Sequence, residues 1–400
     1  MNKAIVIGGG VIGLSTAYHL ALKEFGEIVL LDKGEVGRGA SSRAAGIITG
    51  LMWSRTGVEA RKISLRRYRE MSEELEAYRF REVGCLNMFD AEGWAEREKL
   101  LALYRELDVD YEVLDAGEMR RRWPDFNPGE EDIALFDPLG GYSEPDEYIL
   151  ALARKCRELG VHIREHQQVT GFVQRGGRIC GVQTGDGPVE GDAVVNAVHV
   201  WTLKIFETLG RKLPLKAFAH QRYVTGELER EVRLPAINAN PHGVYLRPAD
   251  DRRLLIGVEN EACAESRVPD LDFDMASVEV QAELAERAAR LGLPLVPGIG
   301  KPDWEIEKMG LLLFSMDGEP VLGPVAELPG LYVACAFHSG GFAYNPAAGY
   351  LMAECVAEGR TGIDVSAFSP DRFASRDVDG YLETSVTHGE YAEMVGMFRH

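Results

Sequence analysis

The amino-acid sequence predicts a mixed α/β fold, with a helix-covered parallel sheet and a second sheet of mixed or antiparallel strands. The chain opens with a strand, a helix and a second strand over residues 3–32. A further strand, turn and helix unit follows at 331–358. Between the two units, short β-branched runs alternate with glycine turns over 172–195, which is typical of antiparallel strands.

The N-terminal elements follow from the pattern of apolar residues. Residues Lys3–Ile7 form a short β-branched run that ends at glycines. Apolar residues then recur at helical spacing over 11–23, and a second apolar run at 28–31 closes on Asp32. Because strands joined through one helix pair in parallel, we expect a parallel sheet here.

The middle of the chain contains elements of both kinds. Residues 85–89 resemble a strand between two amphipathic helices, and the spacing over 147–159 predicts another helix. The spacing over 275–291 predicts a long helix that stops at Gly292.

Charge and length restrict the class of protein. A chain of 400 residues suggests about two or three compact units, and 46% hydrophobic residues suffice to fill their cores. The net charge of −19 is spread along the chain without a basic stripe, whereas nucleic-acid phosphates require clustered lysines and arginines. Nucleic acid is therefore excluded as the expected partner.

The cysteines and apolar runs bear on location. Six cysteines are scattered without metal-ligand spacing, so neither a disulfide framework nor a metal site is indicated, and a reduced, cytoplasmic setting is expected. Glycines at 8–10 interrupt the first apolar run, which we interpret as a buried strand and not as a signal peptide. No stretch reaches the roughly eighteen continuous apolar residues of a membrane span.

The strongest motif is Gly8-x-Gly10-x-x-Gly13, which directly follows a strand and opens a helix. Glycines there allow a tight turn, close approach of a pyrophosphate to the helix N-terminus, and close packing of helix on strand. Asp32 ends the next strand, where a carboxylate can accept ribose hydroxyls. This context predicts a Rossmann-type dinucleotide site. No second motif of this kind is present, so a nicotinamide site is not expected.

A second motif, residues 37–47, follows the acidic residue at once. It resembles the second flavin-binding motif of the FAD-dependent amine and amino-acid oxidoreductases, the family of glycine oxidase, sarcosine oxidase and D-amino-acid oxidase. The hydroxyls of Ser41 and Ser42 and the guanidinium of Arg43 would meet phosphate and ribose. The small pair Ala45 and Gly46 would let backbone amides approach the flavin ring.

The resemblance covers most of the chain. Residues 140–145, 192–201, 317–323 and 335–342 are similar to family segments in the same order, although Val198 and His199 replace an alanine and a glycine. The resemblance implies non-covalent FAD, because the family's flavin-linking cysteine falls on Gly310. The residues expected to contact FAD are Gly8, Gly10, Val11, Ile12, Gly13, Asp32, Lys33, Gly39, Ala40, Ser41, Ser42, Arg43, Ala45, Gly46, Ile47, Val169, Ala197, Trp201, Gly310, Ser339, Gly340, Gly341 and Phe342.

Four residues are candidates for catalysis or substrate binding. Tyr245 and Arg247 lie in a segment similar to substrate-domain strands of the family, where the tyrosine would face the substrate and the arginine would hold a carboxylate. Both are equally compatible with ordinary sheet positions. His338 lies in the glycine-rich turn and would take a proton from the substrate. Arg55, after the second flavin motif, is a further candidate anchor or a solvated side chain.

Three positions depart from the family. The arginine and the lysine that anchor the substrate carboxylate in relatives fall on Leu312 and Ala343, so neither familiar anchor is present. The lysine associated with oxygen reactivity falls near Leu255. The sequence therefore leaves the carboxylate anchor, the substrate and the choice between oxidase and dehydrogenase open.

The resemblance implies a FAD-dependent enzyme that oxidises the C–N bond of a small amine or amino acid, of the sarcosine, glycine or D-amino-acid type. Hydride would leave the carbon beside the nitrogen, and the resulting imine would hydrolyse. Oxygen or another acceptor would take the electrons. Two alternatives remain: a hydroxy-acid or polyol-phosphate dehydrogenase of related fold, and a flavoprotein with a binding or assembly role and little turnover.

The expected architecture has two interleaved parts, a Rossmann-type FAD-binding domain and a substrate domain on a mixed or antiparallel sheet, with the active site between them. The sequence leaves the oligomeric state open. The expected divisions are 1–78, 143–212 and 300–370 for the FAD-binding domain, 79–142 and 213–299 for the substrate domain, and 371–400 for a C-terminal tail.

Overall fold

The computed structural model describes residues 2–250 and 252–396. Within these ranges no helix combines the length and apolar character needed to cross a membrane. The strands are β1 (Lys3–Ile7), β2 (Glu27–Leu31), β3 (Ile47–Ile48), β4 (Cys85–Phe89), β5 (Glu112–Asp115), β6 (Ile133–Asp137), β7 (Gly141–Tyr142), β8 (His162–Arg164), β9 (Val169–Arg175), β10 (Arg178–Thr184), β11 (Gly187–Glu190), β12 (Ala193–Asn196), β13 (Leu215–Thr225), β14 (Ala236–Ala239), β15 (Val244–Ala249), β16 (Arg253–Val258), β17 (Trp304–Ser315), β18 (Val321–Pro324) and β19 (Leu331–Cys335). The α-helices are α1 (Val11–Leu22), α2 (Arg55–Glu74), α3 (Ala91–Arg97), α4 (Leu101–Glu106), α5 (Ala116–Arg122), α6 (Pro145–Glu158), α7 (Thr202–Glu207), α8 (Ala282–Gly292), α9 (Gly341–Glu358), α10 (Val378–Glu383) and α11 (His388–Met394).

A six-stranded sheet carries the N-terminal motif, in the order β18-β19-β12-β1-β2-β8. All its pairs are parallel except β18 with β19. Strands β1 and β2 are almost wholly buried because both of their faces are covered. One face packs on helices that include α1 and α9, which contact each other directly, and residues of the other face share a core with β9 and β10. The predicted Rossmann-type unit and the second strand-to-helix unit are thus parts of one sheet.

An eight-stranded sheet forms the other large layer, in the order β17-β13-β16-β15-β14-β4-β6-β5. Its pairs are antiparallel except β14 with β4, which makes it a mixed sheet, as the sequence predicted. Helix α8 packs on β15 and β16. The glycine turns after Val169 give a separate antiparallel sheet of β9, β10 and β11.

The division of the chain into domains stays a prediction, and the strand pairing adds one feature to it. The boundary at residue 300 assigns the next segment to the FAD-binding part, but β17 pairs with β13 along its length in the eight-stranded sheet. The chain therefore returns to the parallel sheet only at β18, through the turn after Ser315.

The long helix predicted over 275–291 is wrong in its first half, because α8 begins only at Ala282. Residues 271–273, which precede this stretch, lie near the glycine turn, where Lys33 holds them. The Lys33 ammonium donates to the carbonyls of Leu271 (2.8 Å) and Phe273 (2.5 Å). A tertiary contact thus overrides local helical spacing.

The C-terminal segment packs on the end of the large sheet where β13 pairs with β17. Tyr391 donates to the carbonyl of Ser315 at 2.6 Å, and Lys216 Nζ donates to that of Thr384 at 2.6 Å. The predicted tail, 371–400, is therefore part of the folded structure over 371–396. Residues 397–400 lie outside the described ranges.

Candidate functional site

A cavity of about 710 Å³ lies between the two large sheets. One end is bounded by the carboxyl end of β1 and the loop after β2, and the other by side chains of β13 and β15. The turn between β19 and α9 also contributes to its wall. In α/β proteins the carboxyl ends of parallel strands are the usual place for a ligand.

The glycine turn after β1 can be built only from glycine at two positions. Gly8 has φ +105°, and a Cβ there would lie 2.6 Å from the carbonyl oxygen of Ala197. A Cβ on Gly13 would lie 1.8 Å from the carbonyl oxygen of Gly8. Gly8 and Gly10 line the cavity, whereas Gly13 does not, so the predicted role of Gly13 changes from FAD contact to packing of α1 on β1.

Asp32 holds this turn in place. Its Oδ2 accepts from the amide of Gly9 at 2.6 Å, and its Oδ1 accepts from that of Gly34 at 2.8 Å. Burial raises the pKa of Asp32, and these two amides oppose that rise. Asp32 lines the cavity, and each of its carboxylate oxygens can accept a further hydrogen bond, which suits the predicted contact with ribose hydroxyls.

The serine-arginine loop, residues 39–47, is tied to the glycine turn. Ser41 Oγ accepts from the amide of Val11, the first residue of α1, at 3.0 Å. The guanidinium of Arg43 lines the cavity but donates to the carbonyls of Met309 (2.9 Å) and Gly39 (2.7 Å), as well as to that of Arg38. Arg43 therefore holds the loop against β17.

Ser42 is placed differently from the prediction. It does not line the cavity, and its carbonyl accepts from Arg222 at 3.2 Å and from Lys308 at 3.1 Å. These contacts join the loop to the large sheet, so Ser42 contributes to the shape of the site and not to phosphate contact.

The remaining predicted FAD contacts surround the cavity. At the end near the glycine turn, the Lys33 ammonium lies 4.4 Å from the ring centre of Trp201, whose Nε1 donates to the carbonyl of Phe273. The predicted FAD-contact residues that line the cavity are Gly8, Gly10, Val11, Ile12, Asp32, Lys33, Gly39, Ala40, Ser41, Arg43, Ala45, Gly46, Ile47, Val169, Ala197, Trp201, Gly310, Ser339, Gly340, Gly341 and Phe342.

The turn between β19 and α9 has an unusual backbone. Ala336 (φ +55°) and His338 (φ +46°) both adopt positive φ, which non-glycine residues rarely do. The turn delivers the N-terminus of α9 to the cavity, where Gly341 and Phe342 line the wall. A helix N-terminus presents amides and a partial positive charge, which suits an electron-rich group.

His338 lies in this turn as predicted but does not fit the role of a base. Its Nδ1 accepts from the amide of Gly340 at 3.1 Å, so its Nε2 carries the proton. Burial, with the nearby charge of Arg61, lowers the pKa of His338 to about 3. At neutral pH it is therefore an N–H donor with little tendency to accept a proton.

Tyr245 lines the cavity and is paired with His220. The Tyr245 hydroxyl lies 3.1 Å from His220 Nε2, donates to the carbonyl of Gln221 at 3.1 Å, and the two rings stack with centres 5.4 Å apart. Burial lowers the pKa of His220 to about 4, so the imidazole is neutral at pH 7. A Cβ on Gly257 would lie 1.7 Å from the Tyr245 ring, so this glycine makes the room that the ring occupies.

Two predicted residues lie outside the cavity. Arg247 is completely buried, is paired with both carboxylate oxygens of Glu144 (2.6 and 3.1 Å), and donates to the carbonyl of Ala45. Arg55 is half exposed and paired with Glu106 at 2.6 Å. The structure therefore corrects both as substrate anchors, because neither guanidinium faces the cavity.

Sequence reasoning missed several residues of the cavity wall. Arg61 is the most notable, because it is 3% exposed yet lines the cavity. It stands on the buried stripe of α2 between Gly57 and Ser64, where helical spacing predicts an apolar residue. Glu259 and His388 line the cavity too, but they come from distant segments that carry no shared signal.

Comparison with known proteins shows which family the chain belongs to. Residues 3–355 match the family model described as FAD dependent oxidoreductase. The chain belongs to the FAD-dependent oxidoreductase family. The match covers most of the chain and confirms the resemblance on which the sequence interpretation rests.

Named proteins are similar to the chain in sequence or in fold. The chain is 29% identical to 4-methylaminobutanoate oxidase (formaldehyde-forming) of Paenarthrobacter nicotinovorans over 97% of its own length and 48% of that protein. It is 28% identical to glycine oxidase of Pseudomonas putida, over 92% of its own length and 98% of that protein. The structure of L-proline dehydrogenase from P. horikoshii superposes with a TM-score of 0.84 at 24% identity, covering 93% and 98% of the two chains. The chain thus spans about half the length of the first relative and nearly all of the other two.

The residues of the cavity fit FAD. The glycine turn, the Asp32 carboxylate and the open N-termini of α1 and α9 supply what a dinucleotide pyrophosphate, a ribose and an electron-rich ring require. Gly310 lines the cavity with Arg43 Cδ 2.9 Å from where its Cβ would be, so a larger side chain has no room there. Of the two familiar anchor positions, Leu312 lines the cavity as an apolar residue and Ala343 does not line it.

Proposed function

We propose that the protein oxidises the C–N bond of a small amine or amino acid, with FAD bound non-covalently. The observation that carries this proposal is the single cavity that runs from the glycine turn to the His220–Tyr245 pair. The names of the relatives support it, because 4-methylaminobutanoate oxidase, glycine oxidase and L-proline dehydrogenase all act on a carbon beside a nitrogen. Secondary amines, including N-methylated amino acids, are the favoured substrates.

FAD, when bound, accepts two electrons from the carbon beside the substrate nitrogen. The chain binds the substrate, orients it and excludes water. The same desolvation that lowers the pKa of His220 to about 4 disfavours a substrate ammonium in this cavity. The site therefore selects the neutral amine, and the Tyr245 and His220 pair positions its nitrogen by hydrogen bonding. The oxidised product is an imine, which water hydrolyses after release.

The proposal also covers the cellular location and the electron acceptor. All six cysteines are free thiols, which supports a reducing, cytoplasmic location. Oxygen or a second electron carrier takes the electrons. Leu255, near which the lysine associated with oxygen reactivity in relatives falls, is fully buried and does not line the cavity.

Anaerobic mixing of the FAD-loaded protein with a panel of compounds tests the proposal. We expect N-methylglycine, proline or 4-methylaminobutanoate to bleach the visible flavin absorbance, and lactate and glycerol 3-phosphate to leave it unchanged. Bleaching by the hydroxy compounds alone would replace the proposal by the dehydrogenase alternative. A protein that only dithionite can bleach would contradict any amine or hydroxy-acid oxidation. Repeating the positive case in air measures the reaction with oxygen.

A pair of variants tests whether the reaction takes place beside the His220–Tyr245 pair. His220→Asn removes the partner of Tyr245, and we expect it to slow flavin reduction by roughly 10- to 100-fold while FAD stays bound. His162→Asn, at an exposed histidine of β8, is the matched control and should reduce at the wild-type rate. Equal rates in both variants would remove the His220–Tyr245 pair from the reaction.

A further inference from the structure

Arg61 is a buried cation on the cavity wall. Its side chain is 3% exposed, and its guanidinium lies 4.0 Å from the ring centre of Tyr344 and donates to the carbonyl of Thr49 at 3.2 Å. It makes no ion pair with any carboxylate of the residues that the structure describes. Its Nε finds no acceptor among those residues.

A second donor lies beside it. The proton-bearing Nε2 of His338 is also buried and without an acceptor in the described ranges. Both side chains pack around Gly340, because a Cβ there would lie 2.4 Å from Arg61 Nη2 and 2.7 Å from His338 Cε1. Two N–H groups on one wall of the cavity therefore lack an acceptor.

The energetics require an anion in this place. A buried guanidinium with one carbonyl acceptor and no counterion has lost most of its hydration, whereas hydrogen bonds to an anion compensate for that loss. Burial lowers the pKa of Arg61, but a guanidinium stays charged in proteins. The contrast with Arg247 is direct, because that equally buried guanidinium is satisfied by Glu144 within the chain. Arg61 thus needs its anion from a molecule that enters the cavity.

We propose that Arg61, helped by the Nε2–H of His338, binds the carboxylate of the substrate, so that the protein acts on amino acids and not on simple amines. The inference rests on the proposed function and narrows its substrate class. A planar guanidinium recognises a carboxylate in a paired geometry that a lysine cannot reproduce. Arg61 supplies the cation that the apolar residues Leu312 and Ala343 do not.

Oxygen atoms of the flavin ring are a second source of the same acceptor chemistry. If Arg61 served only the flavin, its loss would weaken FAD binding and would leave the preference between acids and amines unchanged. If it serves the substrate, its loss changes that preference while FAD stays bound. One set of variants therefore distinguishes the flavin oxygens from the substrate carboxylate as the acceptor for Arg61.

The first experiment compares pairs of compounds that differ only by the carboxylate: N-methylglycine with dimethylamine, and proline with pyrrolidine. We expect the FAD-loaded wild type to favour the acid by roughly 100-fold or more in kcat/KM for anaerobic flavin reduction, since one unpaired buried charge has an effect of this order. Arg61→Gln should remove most of this preference, by raising KM for the acid far more than KM for the matched amine.

Two further variants control the experiment. Arg61→Lys keeps the charge without the planar fork and should recover only part of the preference. Arg66→Gln removes an exposed arginine from the same helix and should behave as wild type. An acid preference that survives in Arg61→Gln, or a wild type that uses acid and amine equally, overturns the inference and leaves the proposed function standing.

A binding experiment decides the inference without turnover. Acetate, titrated into the FAD-loaded protein, should perturb the flavin spectrum, whereas neutral acetamide should not. In Arg61→Gln and Arg61→Lys the acetate dissociation constant should rise at least tenfold, and in Arg66→Gln it should not change. If acetate binds all variants alike, or if the Arg61 variants only lose FAD, the carboxylate role is contradicted even where no amine or amino acid bleaches the flavin.

Discussion

The two ends of the cavity differ in whether backbone or side chains form most of the wall. The end near the glycine turn is built mainly around backbone of the N-terminal segment, where Asp32 and Ser41 hold the turn by accepting from amides. The far end is made of side chains from separate elements, such as Tyr245 on β15 and His220 on β13. The difference suggests that cofactor binding tolerates few backbone changes, whereas substrate choice depends on a few side chains.

The first prediction, with the greatest loss of function, concerns the glycine-turn end of the cavity. In Gly13→Ala the new Cβ would lie 1.8 Å from the carbonyl oxygen of Gly8, so α1 cannot pack on β1 and FAD binding should be lost. The ratio of flavin to protein absorbance after purification measures this. Gly185→Ala, where no atom lies within 4 Å of the new Cβ, should keep its FAD. Normal FAD content in Gly13→Ala would refute the packing argument.

The second prediction separates stability from catalysis. Arg247→Met leaves the partly buried carboxylate of Glu144 without its bidentate partner, which should lower the free energy of unfolding, by at most the roughly 3–5 kcal/mol typical of a fully buried pair. Urea unfolding measures the loss. Replacing Glu144 as well, by leucine, should recover much of it because no unpaired charge remains. A single variant as stable as wild type, but with a changed substrate preference, would return Arg247 to the list of anchors.

The third prediction concerns the side-chain end. In Gly257→Ala the Tyr245 ring must move, because the new Cβ would lie 1.7 Å from its Cζ. We expect flavin reduction by substrate to slow by roughly 100-fold through misplacement, with FAD still bound. Tyr245→Phe keeps the ring and should have a smaller effect. Equal loss of FAD in Gly257→Ala and Gly13→Ala would erase the distinction between the two ends.

The same contrast explains how much the sequence could predict. The glycine turn and Asp32 are close in sequence, and their steric roles depend on residue type, so a spacing rule predicts them. The positions of Arg247 and Arg55 outside the cavity lining could not be predicted, because a sequence does not show their pairing with Glu144 and Glu106. Arg61 left only a weak signal, a charged residue within a buried helical stripe.

The helix predicted before Ala282 failed for a related reason. The Lys33 contacts that hold the segment in front of it come from the other end of the chain, so no local pattern contains them. The strands of the large sheet are equally far apart in sequence, so the pairing of β17 with β13 could not be predicted from a local pattern.

The fourth prediction is a dependence of stability on pH. Burial lowers the pKa of His19 and of His338 to about 3, whereas an unfolded histidine titrates near about 6.5. Below about pH 6.5 the unfolded chain binds more protons, so stability falls as pH decreases towards the folded pKa. Each histidine contributes a slope of up to about 1.4 kcal/mol per pH unit.

Urea unfolding between about pH 7 and about pH 5 tests this dependence. His19→Gln should reduce the slope, because glutamine does not titrate. His162→Asn, at an exposed position, should leave it unchanged. An identical slope in wild type and His19→Gln would mean that the pKa of His19 does not differ between the folded and the unfolded protein.

The smallest expected effect is at Arg55. Its ion pair with Glu106 is exposed, and such pairs contribute little to stability. Arg55→Gln should therefore change kcat/KM and the melting temperature by less than the experimental error. A selective rise in KM for carboxylate substrates would bring Arg55 back as an anchor and weaken the case for Arg61.

The central claim is that the glycine turn and the serine-arginine loop together bind one flavin nucleotide. Titration of the flavin-free protein with FAD, followed by quenching of flavin fluorescence, tests it most directly. We expect saturation at one FAD per chain and full release of the flavin when the protein is denatured. A folded protein that neither carries nor binds FAD would contradict it.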